Sequence, residues 1–154
     1  MKFVYLTTVA VALSGCVANQ SVPPSAKSSE KVTEAIRAFE NVCLLTAPSF
    51  SGAVQASASF GIVKITDHGF TKSGFNKDQS LGVQIKANNE CVITIDSQQD
   101  DTLTKQFLQV VSRHSREIPS AQVPTKASVK GVTFIFHHDR KGGEAFVMLK
   151  ANSR

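Results

Sequence analysis

From residue 30 onward the hydrophobic period of the chain changes repeatedly, and each change marks an element. In SSEKVTEAIRAFENVCLLT, Val32, Ile36, Phe39 and Cys43 recur at i, i+4, i+7 and i+11, the stripe of a helix with one buried face. That helix is expected from about Glu30 to Leu45, with Ser28 or Ser29 as N-cap, and Pro48 interrupts the chain beyond it. A shorter helix is expected over Phe50 to Phe60, ending at Gly61, a residue suited to the left-handed conformation that closes helices. Leu81, Val83 and Ile85 then alternate with Gly82, Gln84 and Lys86, and Cys91, Ile93 and Ile95 return after Asn88-Asn89, which predicts a hairpin.

Between these segments, DHGFTKSGFNKDQ (67–79) mixes glycine and polar residues with Phe70 and Phe75 and reads as a long loop or an irregular edge strand. Leu103, Phe107, Val110, Val111 and His114 share one face of a third helix, opened by Asp100 or Asp101 and finished before Pro119. The connector EIPSAQVPTKAS is too rich in proline for a helix. A last hairpin pairs about Lys130–His138 with Glu144–Lys150 across DRKGG, where the glycines permit the turn. Both of its faces are apolar, so it is expected to be central or covered on both sides. The expected order is α-α-β-β-α-β-β: an α+β two-layer domain with two hairpins in one antiparallel sheet and helices on one face.

The first residues are different in kind. Lys2 precedes an apolar segment, Phe3 to Leu13, of about eleven residues, well short of the roughly 20 that a bilayer-crossing helix needs. A cationic start, an apolar middle and a small-residue exit form the pattern of a secretory signal. Leu13-Ser14-Gly15-Cys16 resembles the lipobox of bacterial lipoprotein signals. The resemblance implies that the Cys16 thiol receives a diacylglyceryl group, that the chain is cut just before Cys16, and that the new amino group is acylated, palmitate being such an acyl group. An ordinary secretory signal with a chance cysteine is the alternative. Val17 stands where Asp would favour retention in the inner membrane, so the resemblance implies the outer membrane, facing the periplasm.

Val17 to Ser29, with Pro23-Pro24, reads as a tether that spans at most about 45 Å when extended. The chain is thus expected to divide into a signal peptide (1–15), a lipidated Cys with its flexible tether (16–29) and a single globular domain (30–154).

Composition narrows the picture. Without residues 1–15 the chain keeps 139 of its 154 residues, enough for one domain with a core. Net charge falls from +5 to +4, because only Lys2 is lost from 17 basic residues against 12 acidic ones. This excess is mild and scattered, which argues against nucleic acid as a partner. There is no Trp, and Tyr5 lies in the signal, so a Trp or Tyr platform for stacking sugars is excluded. With Cys16 assigned to lipid, Cys43 and Cys91 remain. In an oxidising periplasm they are expected to form a disulfide, each lying on the face its own segment should bury. The bond would close a loop of about 49 residues, about 4 kcal/mol in the chain-entropy model. Two buried free thiols are the alternative.

Chemistry is sparse. His137, His138, Asp139 and Arg140 form the densest candidate polar site, yet neighbouring strand residues point to opposite faces, so the two imidazoles should not share a metal. A hairpin shoulder with solvent-facing histidines is the plainer reading. His114 continues an apolar helix face as a partly buried structural residue, and His68 has no partner at a recognisable spacing. No G-x-S-x-G, HExxH, P-loop or GxGxxG occurs, and neither a catalytic residue nor a metal or cofactor site is assigned. Arg113, Arg116, Lys126, Lys130, Arg140 and Lys141 would make a patch for an anionic polymer if they gathered at one end of the domain; a solvated rim is the alternative.

The function expected is that of a lipid-anchored envelope lipoprotein whose periplasmic domain is a non-catalytic binding or scaffold module. It would meet the membrane through its anchor, and an envelope protein or anionic envelope polymer through its domain. The alternatives are a cell-wall-active enzyme or enzyme inhibitor, and a passive structural lipoprotein.

Overall fold

A computed structural model describes residues 34–152; the expected signal 1–15, Cys16, the tether and the N-cap serines lie outside the described residues. The first helix, α1 (34–44), turns its stripe inward: Ile36, Phe39, Val42 and Cys43 are buried. Its last six residues, Phe39–Leu44, wind as a π-helix, and the Leu45 N–H donates to the Glu40 carbonyl at 2.9 Å. Three consecutive buried residues, Val42, Cys43 and Leu44, sit on this wider turn. The second helix, α2 (Ala53–Ser57), tightens into a 3₁₀ turn over Ala58–Phe60 and stops at Gly61, whose φ of 75° is the left-handed value expected there. The third, α3 (Leu103–His114), buries Leu103, Phe107, Leu108, Val110 and Val111.

Seven strands form one sheet, in contrast to the four expected. They are β1 (Lys64–Asp67), β2 (Lys72–Phe75), β3 (Leu81–Lys86), β4 (Glu90–Ile95), β5 (Thr125–Val129), β6 (Val132–Asp139) and β7 (Glu144–Lys150). Every neighbouring pair is antiparallel, in the order β1-β2-β3-β4-β7-β6-β5. The order of elements is therefore α-α-β-β-β-β-α-β-β-β, which corrects the sequence expectation.

Both corrections have a physical cause. The β1–β2 hairpin runs into the stretch 67–79 expected to be a long loop or an irregular edge strand, and β2 lies wholly within it. It sits at the edge of the sheet, where Ile65 opposite Gly74 is the one apolar side chain that the register turns toward the core. Backbone pairing, not apolar alternation, holds such a strand. Strand β5 lay hidden at the end of the proline-rich connector. It joins β6 through Lys130 and Gly131, both at positive φ (50° and 81°), the geometry of the tight turn that matches strand twist. Lysine carries little signal for that conformation.

Register fixes what each face carries. Val83 lies opposite Ile93, Ile93 opposite Phe146, and Phe146 opposite His138; Met148 lies opposite Phe136, and Phe136 opposite Thr125. This face receives the helices. The Phe107 ring of α3 meets Phe146 at 5.4 Å, Phe136 at 6.4 Å and Phe39 of α1 at 4.8 Å between centroids. Cys43 of α1 and Cys91 of β4 are disulfide-bonded, with their Cα atoms 5.5 Å apart. The opposite face carries Ile135, Val147 and Leu149, half-buried, and Val92, buried.

The disulfide closes a long loop and clamps α1 to β4, so replacing Cys43 and Cys91 together by alanine should destabilise the folded chain by about 4 kcal/mol. Urea unfolding of the double variant measures this, and an unchanged midpoint would contradict the clamp.

Candidate functional site

The core face of β7 begins with Glu144, in register with Phe146 and Met148, and its side chain is 1% exposed. A carboxylate in such surroundings costs several kcal/mol in lost hydration unless donors surround it. Here four hydrogen bonds converge. Oε1 accepts from the Gln98 backbone N–H at 2.9 Å and from Arg140 Nη2 at 3.3 Å. Oε2 accepts from Arg140 Nε at 3.0 Å and faces His138 Nε2 at 2.9 Å. Arg140 Nη2 also donates to the Gln98 carbonyl at 2.8 Å, so the guanidinium ties the loop before α3 to the β6–β7 turn.

His138 is equally enclosed. Its ring stacks on Phe146, the residue directly opposite it, with centroids 4.5 Å apart and planes 17° from parallel, and Phe107 lies 6.2 Å away. The carboxylate can only accept, so Nε2 must carry the proton it shares with Glu144. That leaves Nδ1 with a lone pair, and the partner there is the Thr104 hydroxyl of α3 at 2.9 Å. The orientation is thus Thr104 O–H to Nδ1, then Nε2–H to Glu144. Burial is the main cause that holds the imidazole below its ordinary value of 6.5, and the Glu144 hydrogen bond works in the other direction.

Thr104 connects this buried chain to the surface. It lines a groove of about 550 Å³ between the outer side of α3 and the segment 118–121, together with Lys105, Leu108, Ile118, Pro119 and Ala121. Thr104, Lys105 and Asp101 give the groove its polar lining, and Leu108 and Ile118 an apolar one.

Of the four residues in the expected polar site, the structure brings His138 and Arg140 together and separates the others. His137 points to the opposite face, opposite Val147, and its buried Nδ1 has no hydrogen-bond partner among the described residues. Asp139 closes the turn by accepting from the Lys141 N–H at 3.0 Å. The solvent-facing reading does not hold for His138, because its register places it beside Phe136 on the buried face. Glu144 and Thr104 were missed. The signal for Glu144 was present: a charged residue in phase with Phe146 and Met148, answering the break that His138 makes after Phe134 and Phe136.

His114 contacts Glu40 at 2.7 Å and Arg113 reaches the same carboxylate at 3.3 Å, a structural tie between α3 and α1. His68 is exposed and faces the Ser73 hydroxyl at 3.2 Å. The basic residues divide between two places: the Arg116 N–H donates to the Ser128 carbonyl, two residues before Lys130, whereas Arg140 and Lys141 follow β6. Lys130, which donates to the Leu45 carbonyl, lies before β6 and Arg140 after it, so an eight-residue strand separates them. That is about 26 Å. Cys16 lies outside the described residues, and no group of metal-ligating residues occurs among the described ones. No protein-family model, curated protein or solved structure matches this chain.

The network has two measurable consequences. Glu144→Ala leaves Arg140 and His138 without their buried acceptor and should destabilise the domain by about 3–5 kcal/mol, measured by urea unfolding; a loss under about 1 kcal/mol would contradict the network. The His138 imidazole takes its proton less readily when folded than when unfolded. Its contribution is therefore fully present above pH 6.5 and is lost as the pH falls from there through the folded value. The unfolding midpoint should drop between pH 7.5 and pH 5, and more weakly in His138→Gln; a midpoint that rises on acidification would overturn this.

Proposed function

We propose that this protein is a lipid-anchored component of the bacterial cell envelope, held at the outer membrane through Cys16, whose disulfide-clamped domain binds another envelope component. Anchorage is supported by the Leu13-Ser14-Gly15-Cys16 box and the proline-bearing tether behind it. One acyl chain holds a protein only marginally, and two or more hold it stably, which is the chemistry that a lipidated N-terminal cysteine supplies. The Cys43–Cys91 bond fits an oxidising compartment.

The observation that carries the binding reading is the first hairpin and the segment leading into it. Val63, Phe70 and Phe75 are 73%, 79% and 55% exposed, three of the five large apolar side chains exposed among the described residues. Val63 and Phe75 border a hollow of about 730 Å³ with Lys64 and Lys77 at its rim. Phe75 lies over Gly82, where a Cβ would come within 2.5 Å of its ring, so the close approach of the aromatic requires glycine there. Exposed aromatic side chains flanked by lysines suit a partner with apolar and anionic groups.

An enzyme is the second reading, and one observation favours it: the Thr104 hydroxyl in the groove is hydrogen-bonded to a buried imidazole whose other nitrogen faces a carboxylate.

Intact mass of the native chain tests the anchor. The expected species begins at Cys16 and carries fatty acyl groups, while Cys16→Ser gives an unlipidated protein released from membranes. A native chain that starts elsewhere or carries no acyl group would refute the anchor. For the partner, a photo-crosslinker at Phe70 or Phe75 should give a discrete envelope adduct that one at Gln109 does not; equal patterns at all positions would remove the hairpin from the interface.

A further inference from the structure

We propose that Thr104 is a nucleophile, activated by His138 with Glu144 as the positioning residue, for esters of aliphatic carboxylic acids bound in the groove beside α3. This role rests on the enzyme reading; the anchor and the partner surface on the first hairpin stand without it.

Three groups acting in series are what a hydroxyl nucleophile needs: a base on the hydroxyl, an orienting group on the base, and an open approach to the oxygen. Each is in place. Nδ1 of His138 lies 2.9 Å from the Thr104 Oγ1. Glu144 fixes the tautomer from the far side at 2.9 Å, and Phe146 stacks on the ring and prevents it from rotating. Thr104 itself borders the groove. Thr104 also sits in the first turn of a twelve-residue helix, whose positive N-terminal end favours negative charge developing at that point.

The groove identifies the substrate class. Leu108 lies one turn beyond Thr104, and Ile118, Pro119 and Ala121 face it, which gives an apolar wall ending at a hydroxyl. An aliphatic acyl chain would lie along that wall with its ester carbonyl at Thr104. Oγ1 then attacks the carbonyl carbon and its proton passes to His138 Nδ1. As the tetrahedral intermediate collapses, the bond to the alcohol oxygen breaks and the alcohol leaves with that proton. Water cleaves the acyl-threonine by the same route, releasing the carboxylic acid and restoring Thr104. The sequence is redox-neutral, with water as its one co-reactant. Burial is the main cause that disfavours charge on the resting imidazole, and the nearby Arg140 guanidinium works in the same direction.

The test uses the full chain purified in detergent, with an alkyl fluorophosphonate and p-nitrophenyl octanoate as probes at pH 8. One adduct is expected, mapping to Thr104, together with ester turnover. Thr104→Ser should keep both, Thr104→Val should abolish both, and His138→Gln should slow labelling about 100-fold. Thr104→Val removes the hydroxyl and leaves the buried His138 Nδ1 without its partner, so thermal unfolding is used to confirm that each variant is folded. If His138→Gln does not fold, the Ser and Val pair decides alone. A folded native chain that gives no adduct, an adduct at another residue, or ester turnover equal to that of Thr104→Val would overturn the proposal.

Discussion

Glu144 is a carboxylate inside an aromatic core, and the four hydrogen bonds that it accepts hold one end of the domain together. Hydration lost on burial has to be offset by donors, and those donors come from three separate places: the β4–α3 loop, the β6–β7 turn and strand β6. Arg140 links the first two directly through the Gln98 carbonyl. The loop leading into α3 therefore cannot move independently of the last hairpin. Since α3 begins at Leu103, the helix start and the Thr104 hydroxyl are set by a residue 40 positions further along the chain.

The opposite end is secured by different means. The disulfide joins α1 to β4, and Glu40 of α1 receives both His114 and Arg113 from the last turn of α3. Between the two ends, Phe107 occupies the centre, against Phe39, Phe136 and Phe146. The sheet's central strands are thus covered by helices fixed at both ends, while the β1–β2 hairpin projects at the edge with Phe70 and Phe75 exposed. Rigidity in one region and exposed apolar surface in another suit a domain that presents a surface to a partner.

Much of this was legible where burial is one-sided. The alternation in β3 and β4, the stripe of α3 and the inward faces of Cys43 and Cys91 all arise because one face must leave water. Where packing contributes little, the pattern fades: β1, β2 and β5 lie at or next to sheet edges and hold few apolar residues, so their backbone pairing left almost no trace in composition. The candidate site was half visible. His138 and Arg140 stand out in the sequence, but adjacency alone groups them with His137 and Asp139, whereas a strand sends alternate side chains to opposite faces. Glu144 joins them because it shares their face across the hairpin, and Thr104 because the fold brings α3 onto it over a separation of 34 residues.

The central claim is that Glu144 dictates the proton position on His138. Nitrogen-15 NMR of the imidazole at pH 7 reads this directly. The account predicts a neutral ring with Nε2 protonated and Nδ1 bare, and a shift of the proton toward Nδ1 in Glu144→Ala if that variant stays folded. A native ring protonated at Nδ1, or at both nitrogens, would contradict it.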